Sequence, residues 1–266
     1  MSRLFSRLFG KPLPAPAPPS TAGRLVYAVG DVHGRLDLLQ PLAASLTADM
    51  AQSAFAERPL LVFLGDYVDR GPASAGVIEL ILELSTEADI EVRALKGNHE
   101  EAMLAFLDDP AFGATWMAHG GAATLASYGV QPPAARTDPE AWAEIREAFA
   151  GALPATHLAF LQGLGLMTTV GDYAFVHAGV RPGVPLDRQS EHDLLWIRYE
   201  FLDAPGPFEK IVVHGHTPME QPQLTLRRLG IDTGAYATGV LTAVRLEGDS
   251  QRIIQAHARK PAAATA

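Results

Sequence analysis

The chain has 266 residues, of which 48% are hydrophobic and 19% are charged, and its formal net charge is −9. This composition supports one large folded domain with a sizeable core and excludes bulk disorder. No basic block stands out, so we expect no nucleic-acid groove. The absence of cysteine excludes disulfides and thiolate metal sites, and it suits the reducing cytoplasm, which is the expected location.

The first 23 residues predict a disordered tail and a linker. Residues 11–20 alternate proline with small residues, which is typical of an extended linker. The preceding segment, MSRLFSRLFGK, has the pattern of a short amphipathic helix. Because a helix this short is marginal in water, we favour a frayed tail over a membrane-surface anchor and expect no firm membrane association. No stretch is long and apolar enough to span a bilayer. We expect the folded domain to cover residues 24–258 and a second disordered tail to cover residues 259–266.

Short apolar runs alternate with helical patterns in the first half of the chain. The predicted strands cover residues 25–29, 60–64 and 90–95, and the predicted helices cover residues 36–51, 75–84 and 100–107. Pro41 fits the first of these helices only if it lies near the first turn. This alternation predicts parallel strand pairing with crossover helices.

Helical composition with glycine and proline breaks covers residues 108–165, and we interpret this region as an inserted helical cap. Strand patterns return afterwards at residues 173–176, 211–213, 239–246 and 252–256. The close spacing of the last two predicts an antiparallel pair. The predicted fold class is therefore α/β, with mixed β-sheets packed as a sandwich, flanking helices and a helical cap insertion.

Polar side chains follow the predicted strands at the points where the strands end. In open α/β sheets, functional groups gather beyond the carboxyl ends of the strands. A lone Asp or Asn there is usually a turn former, but ligand-type residues recur at several of these ends. Carboxylates, imidazoles and an amide without cysteine indicate a hard-to-borderline metal site. The residues concerned are Asp31, His33, Asp66, Asp69, Arg70, Asn98, His99, His177, His214 and His216.

Five motifs carry a family resemblance. They are GDVHG at 30–34, GDYVDRG at 65–71, GNHE at 97–100, HAG at 177–179 and HGHTP at 214–218. In this order the motifs resemble those of the calcineurin-like metallophosphoesterases. Within that group the chain is similar to the PPP family of serine/threonine protein phosphatases, particularly its bacterial and phage-type members. The resemblance covers roughly residues 24–246, and five ordered motifs are far more specific than any one alone.

The resemblance implies a role for each motif residue. The implied metal ligands are Asp31 and His33 for a first ion, Asp66 for both ions, and Asn98, His177 and His216 for a second. The implied catalytic residues are His99 as general acid and Asp69 bonded behind it, and the implied phosphate-binding residues are Arg70 and Arg198. Two divalent ions would share one water that attacks phosphorus directly, without a phosphoenzyme. Mn²⁺ is the expected metal, although Fe and Zn²⁺ accept the same ligands.

Three functions compete at the sequence level. The first is a phosphatase whose partner is a phosphoprotein or phosphopeptide carrying phosphoserine or phosphothreonine, with phosphotyrosine left open. The second is a diadenosine tetraphosphatase or another nucleotide phosphohydrolase. That family typically lacks the second Asp of GDYVDRG and has GNHD, so Asp69 and, more weakly, Glu100 favour the first function. The third is a non-catalytic binding module, which predicts a missing ligand or general acid, and none is missing here.

Several further residues have both a structural and a functional interpretation. His214 is expected to support a metal ligand from behind or to pack, rather than to bind metal. Asp193 is a candidate for orienting an arginine in the pocket, and Asp232 is a candidate for orienting a metal ligand. Most of a set of cap residues is expected to pack against the core rather than line a groove: Trp116, Met117, Gly120, Gly121, Thr124 and Tyr128. The remaining histidines are expected to be surface or structural residues: His119, His157, His192 and His257.

Overall fold

The computed structural model describes residues 18–53, 57–134 and 137–258. The strands within these ranges are β1 (Val26–Val29), β2 (Leu60–Phe63), β3 (Glu91–Ala94), β4 (Met167–Val170), β5 (Tyr173–Val176), β6 (Ile211–His214), β7 (Gln223–Leu224), β8 (Arg228–Gly230), β9 (Val240–Glu247) and β10 (Ser250–His257). The helices are α1 (Leu36–Ala51), α2 (Ser74–Ser85), α3 (Asn98–Asp108), α4 (Gly113–Ala118), α5 (Gly121–Ser127), α6 (Pro139–Ala152), α7 (Ala155–Gln162), α8 (Glu191–Trp196), α9 (Tyr199–Leu202) and α10 (Ala235–Thr238). Single 3-10 turns lie at Pro110–Phe112 and Leu186–Arg188.

The strands form two mixed sheets with parallel centres. The first has the order β10-β9-β1-β2-β3, in which β1, β2 and β3 are parallel and β9 and β10 run antiparallel. The second has the order β4-β5-β6-β8-β7, in which β5, β6 and β8 are parallel. The parallel strands of each sheet bring their carboxyl ends to one edge, where the connecting loops meet.

Alternation along the strands places the two sheets face to face. In β1, Val26 and Ala28 point into the cluster between the sheets, whereas Tyr27 and Val29 point into the cluster beneath the helices. Phe175 of β5 belongs to the same inter-sheet cluster as Val26. Side chains on successive strand residues point to opposite faces, so a strand buried on both faces must be apolar throughout. This explains the continuous apolar runs in the sequence.

The cap packs as a continuation of the helical layer. Trp116, Trp142 and Phe149 belong to the same buried cluster as Leu38 of α1 and Val77 of α2. Helices α4 to α7 therefore share one hydrophobic core with the sandwich and hold fixed positions relative to it. The sandwich, the flanking helices and the helical cap confirm the predicted fold class.

Three details differ from the sequence predictions. Pro41 lies in the second turn of α1, not near the first, and the helix continues through it on the exposed side. Helix α3 begins at Asn98, two residues earlier than predicted. Residues 18–23 were expected in the linker, but part of this segment packs on the domain. The backbone N–H of Ser20 donates to Oδ2 of Asp172, and the backbone N–H of Asp172 donates to the carbonyl of Ser20. Thr21 is fully buried. The domain therefore begins earlier than residue 24.

The amphipathic segment and the tail predictions for residues 1–17 and 259–266 lie outside the described residues. In the described part of the chain, no helix combines the length and apolar character needed to cross a bilayer. The strands β4, β7 and β8 were not predicted. Strands β7 and β8 have only two and three residues, too few to give a clear pattern, and β4, with the sequence MTTV, is only partly buried and has no apolar run.

Candidate metallophosphoesterase site

The predicted site residues converge at the carboxyl edge of the parallel strands. The loop after β1 supplies Asp31 and His33, and the loop after β2 supplies Asp66. Asn98 begins α3 directly after β3 and its short loop, and His177 follows β5. All five of these side chains are buried, although four of them are charged or titratable. Burial of so many polar groups is costly unless they bind each other or a cation.

Backbone conformation marks the same residues. Six non-glycine residues in the described ranges have a positive φ, and five of them belong to the predicted site: His33, Asp66, Asp69, Arg70 and His216. Residues other than glycine rarely adopt a positive φ, because their Cβ atom then crowds the backbone. Such strain persists where the surrounding structure demands it, and it clusters at functional sites.

The first half of the centre consists of His33 and Asp66. Nδ1 of His33 donates a hydrogen bond to the carbonyl of Val68 at 2.9 Å, which leaves the lone pair of Nε2 directed into the site. This Nε2 atom lies 3.4 Å from Oδ2 of Asp66. Burial lowers the pKa of His33 to about 3, so the imidazole is neutral and available as a ligand.

The second half repeats this arrangement around His177. Nδ1 of His177 donates to the carbonyl of Leu64 at 2.9 Å. Its Nε2 atom then faces Oδ1 of Asn98 at 3.0 Å and Oδ1 of Asp66 at 3.5 Å. His216 approaches from the other side, with Nδ1 at 2.9 Å from Oδ1 of Asn98. Burial lowers the pKa of His177, and it lowers that of His216 to about 2.

These contacts fit bound cations better than hydrogen bonds. A neutral imidazole whose Nδ1 carries the proton presents a lone pair at Nε2, and here that lone pair faces oxygen acceptors of Asp66 and Asn98. Nε2 of His216 is buried without a hydrogen-bond partner. Two groups of ligand atoms within 4.8 Å of one another meet at Asp66, one with His33 and His99 and one with His177 and His216. This N/O donor set suits Mn²⁺, Fe or Zn²⁺.

Asp31 lies at the edge of this centre. Its carboxylate accepts the backbone N–H of His216 at 3.0 Å. Burial and the neighbouring charges of Asp232 and Asp66 raise the pKa of Asp31 well above its usual range. Asp31 does not belong to either tight group of ligand atoms. Its assignment to the first metal stays a prediction, and so does the orienting role of Asp232.

His99 and Asp69 form a buried pair beside the centre. Nδ1 of His99 lies 2.6 Å from Oδ2 of Asp69. Burial alone lowers the pKa of His99, but the charge of Asp66 and the hydrogen bond to Asp69 outweigh it, so the net pKa is raised. Nε2 of His99 points toward the metal-ligand groups and lies 3.9 Å from Oδ2 of Asp66. The geometry matches a proton donor that is oriented from behind by a carboxylate.

The two predicted phosphate-binding arginines differ in their surroundings. Nη1 of Arg70 lies 3.0 Å from Nε2 of His33, and Nη2 lies 3.0 Å from Nε2 of His99. Its guanidinium also lies 4.5 Å from the ring centroid of Tyr236. Arg198 is exposed, and after burial its charge is among the further causes that lower the pKa of His177. Its assignment to phosphate binding stays a prediction.

Glu100 is a residue whose role the sequence did not reveal. Its fully buried carboxylate accepts backbone N–H groups of Gly97 and Asp66 at 2.8 Å and of Tyr67 at 2.7 Å. Burial, followed by the charge of Asp66, raises its pKa to about 7. Its bond to the backbone N–H of Gly97, three residues earlier, is the bond that the Glu of a capping box makes, although Gly97 has no side chain to make the reciprocal one. The Glu at the third position of α3 is therefore a signal that could have indicated it.

Tyr236 and two cap residues were also missed or undervalued. Tyr236 is 40% exposed at the mouth of the site and packs edge-on to His33 at 5.3 Å between ring centroids. Trp116 and Thr124 were expected mainly to pack, but both donate hydrogen bonds to the carboxylate of Asp69. No sequence signal distinguishes a cap residue that bonds to Asp69 from one that only fills the core.

The remaining candidates lie away from the metal-ligand groups. His214 packs edge-on to Phe201 and contacts the carbonyl of Gly215, in agreement with the packing role expected for it. Asp193 binds Arg181 through two hydrogen bonds, and its predicted role of orienting an arginine in the pocket stays a prediction. His119 is exposed, as expected, but it is not far from the site, because its ring lies 6.5 Å from that of His99.

Comparison with known proteins agrees with this geometry. The family model described as calcineurin-like phosphoesterase matches residues 25–246. The chain belongs to the calcineurin-like phosphoesterase family. Members of this family are hydrolases that use divalent metals, so the resemblance noted from the motifs is confirmed, and the His and Asp groups around Asp66 are its candidate metal ligands.

Individual relatives of this phosphoesterase are more distant. The chain is 26% identical over 237 residues to the bis(5'-nucleosyl)-tetraphosphatase PrpE [asymmetrical] of Bacillus cereus, covering 82% of this chain and 88% of the relative. A solved structure provisionally described as a diadenosine tetraphosphatase superposes with a TM-score of 0.61 at 20% identity, covering 88% of this chain and 95% of that one. The structure of the cold-active protein-tyrosine phosphatase of a Shewanella species superposes with a TM-score of 0.55 at 16% identity, covering 87% of this chain and 80% of that one. These structural likenesses support the fold.

Proposed function

We propose that this phosphoesterase hydrolyses phosphate monoesters of alcohols, with phosphoserine and phosphothreonine in proteins or peptides as its substrates and phosphotyrosine left open. The observation that carries the proposal is the buried pair of His99 and Asp69, with Nδ1 and Oδ2 separated by 2.6 Å. Cleavage of such an ester releases a strongly basic alkoxide, which needs a proton as it leaves. A proton donor held beside the phosphoryl site answers that need.

The remaining residues have separate tasks. Two divalent ions held around Asp66 would polarise the phosphate and supply an activated water. Arg70 and Arg198 bind phosphate oxygens, for which a planar guanidinium is well suited. Nη2 of Arg70 lies 3.0 Å from Nε2 of His99, so a phosphoryl group bound by Arg70 is placed next to the proton-donating nitrogen. His99 then protonates the leaving oxygen while Asp69 keeps the ring in place.

A second candidate is hydrolysis of dinucleoside polyphosphates. The observation in its favour is the 26% identity to a protein named as a bis(5'-nucleosyl)-tetraphosphatase. In that reaction the leaving group is a nucleotide phosphate, which is much less basic than an alkoxide. A general acid contributes less when the leaving group is already stable as an anion. The His99–Asp69 pair therefore supports the monoesterase more strongly.

The experiment compares the purified protein on three phosphopeptides, carrying phosphoserine, phosphothreonine or phosphotyrosine, with diadenosine tetraphosphate. Each is assayed with Mn²⁺, Fe²⁺ or Zn²⁺, and we expect Mn²⁺ to be effective. We expect higher kcat/KM on a phosphopeptide, and a loss of roughly 100-fold or more in kcat for His99→Asn with metal content retained. His257→Asn, an exposed histidine outside the site, is the matched control. A strong preference for the dinucleotide would overturn the first choice.

The same assay format also tests whether the protein is a non-catalytic binding module. A binding module without catalysis predicts no turnover of p-nitrophenyl phosphate with any of the three metals, whereas we expect metal-dependent turnover.

Cytoplasmic location is part of the proposal and rests on the absence of cysteine. Fractionation of cells of the source organism tests it, and recovery in another fraction would contradict it.

A further inference from the structure

The carboxylate of Asp69 is held by the cap as well as by His99. Nε1 of Trp116 donates to both carboxylate oxygens, at 2.9 Å to Oδ2 and 3.1 Å to Oδ1. Oγ1 of Thr124 donates to Oδ1 at 2.7 Å. Asp69 is fully buried, so these two donors and His99 replace the water that the carboxylate loses on folding. The two cap donors are on α4 and α5, respectively.

The hydrogen-bond pattern fixes the direction of the Thr124 proton. Oγ1 of Thr124 accepts the backbone N–H of Asp69 at 2.8 Å and lies 3.0 Å from Oγ of Ser74. A hydroxyl has only one proton, and a carboxylate can only accept. The proton of Thr124 therefore points to Asp69, and Ser74 donates to Thr124. This network leaves Oδ2 of Asp69 directed at Nδ1 of His99.

The indole of Trp116 is equally constrained. Its side chain is 1% exposed and packs against Phe106, at 5.1 Å, and Phe149, at 5.6 Å between ring centroids. Close packing in this buried aromatic cluster restricts rotation of the indole. The N–H group is therefore presented to Asp69 from a rigid position in the core that the cap shares with α3.

We propose that Trp116 and Thr124 are positioning residues for proton transfer, acting on His99 through Asp69. This inference rests on the proposed role of His99 as the proton donor. Without either cap donor, Asp69 rotates or shifts toward the remaining donors, and the His99 ring loses its fixed orientation. A misplaced proton donor slows the departure of basic leaving groups and has little effect on weakly basic ones.

The test is a leaving-group series with the metal-loaded enzyme. Trp116→Phe keeps a flat ring and removes N–H, and Thr124→Val keeps the shape and removes the hydroxyl. We expect each change to lower kcat on phenyl phosphate roughly tenfold and kcat on 2,4-dinitrophenyl phosphate less than about twofold. KM stays unchanged for both esters. Thr124→Ser retains the hydroxyl and is expected to restore kcat on phenyl phosphate.

Two controls separate positioning from simple destabilisation. Trp142→Phe changes another buried cap tryptophan and is expected to affect both esters equally, if at all. In a His99→Asn background, Trp116→Phe and Thr124→Val should cause no further loss on phenyl phosphate, because residues that act through one group are not additive. Equal losses on both esters, or undiminished losses in the His99→Asn background, would overturn the inference.

The single variant His99→Asn distinguishes this failure from failure of the proposed function. If His99→Asn loses turnover selectively on phenyl phosphate but the cap variants do not, only the positioning inference is wrong. If His99→Asn lowers kcat equally on both esters, the assignment of His99 as proton donor is wrong, and the positioning inference is wrong as well.

Discussion

Oε2 of Glu100 accepts the backbone N–H of Asp66 at 2.8 Å, and through this bond the start of α3 holds the loop that carries the central metal ligand. The same oxygen accepts from Gly97, and Oε1 accepts from Tyr67 and Val68. Four amides of two different loops are therefore gathered on one side chain. Asp66 has a positive φ, a conformation that this buried carboxylate helps to maintain.

We predict that Glu100→Gln destabilises the protein by about 2–4 kcal/mol and reduces its metal content. The substitution places an NH₂ group against amides that need an acceptor, so buried donors lose their partners. Urea unfolding and elemental analysis of the purified protein measure the two effects. Glu83→Gln, on the exposed side of α2, is the control and should change stability by less than about 0.5 kcal/mol. Normal stability and full metal content in Glu100→Gln would contradict this role.

The fold was predictable because strands β1, β2 and β5 are apolar on both faces, and because a glycine closely follows β1 and β2. The runs around Val26, Leu60 and Tyr173 correspond to observed strands, and the antiparallel pair of β9 and β10 was also predicted correctly. The strands β7 and β8 span only two and three residues, so they are defined by the pairing of β8 with β6 and of β7 with β8, and not by a local pattern. Helix α10 has four residues between Gly234 and Gly239, which is too short for a helical period.

The site was predictable where a motif residue follows a strand and not where contacts link distant segments. His33 and His177 could be assigned because they belong to motifs at strand ends. Trp116 and Thr124 lie 47 and 55 residues from Asp69 in the sequence, and apolar periodicity cannot tell which buried polar group meets that carboxylate. Glu100 is the intermediate case, because its capping spacing is local but its contact with Asp66 is not.

A second prediction concerns the space beside Asp66. A Cβ atom at Gly97 would lie 2.2 Å from Oδ1 of Asp66 and 2.8 Å from Oε2 of Glu100. Residues other than glycine can adopt the φ of −100° that Gly97 has, so only the steric clash of the added Cβ opposes alanine at this position. We expect Gly97→Ala to displace the carboxylate of Asp66 and to lower metal-dependent turnover of p-nitrophenyl phosphate at least about tenfold.

The matched control for Gly97→Ala is Gly151→Ala in α6, where an added Cβ meets nothing within 4 Å. Because alanine is the better helix former, Gly151→Ala should raise the free energy of unfolding by about 0.5–1 kcal/mol and leave turnover unchanged. Comparable turnover in the two variants would show that the Cβ clash at Gly97 is relieved without moving Asp66.

A third prediction concerns Tyr236 and the orientation of Arg70. The guanidinium rests 4.5 Å from the centroid of the Tyr236 ring, so the ring face supports the cation at the entrance of the site. We expect Tyr236→Leu to raise KM for p-nitrophenyl phosphate about 2–5-fold, in line with the loss of one partly exposed cation–π contact, with little change in kcat. Inhibition by inorganic phosphate should weaken by a similar factor.

Tyr236→Phe keeps the ring face and is the control for this prediction. It should retain the KM of the unaltered protein, because the phenolic hydroxyl takes no part in the contact with Arg70. An equal rise in KM for the Phe and Leu variants would assign the effect to the hydroxyl instead of the ring.

The fourth prediction concerns removal of metal ions. Neutral His33 and His177 direct lone pairs toward the oxygens of Asp66, so a bound cation stabilises the folded state and has no equivalent site in the unfolded chain. We expect the melting temperature to fall after treatment with a chelator and to rise again with added Mn²⁺. The free energy of unfolding should rise by about 3 kcal/mol when the free metal concentration exceeds its Kd by about 100-fold. His177→Ala should weaken this stabilisation, whereas His257→Ala, on an exposed strand end, should preserve it. An identical melting temperature with chelator and with Mn²⁺ would exclude metal binding at Asp66, because a ligand that binds only the folded state must raise its stability.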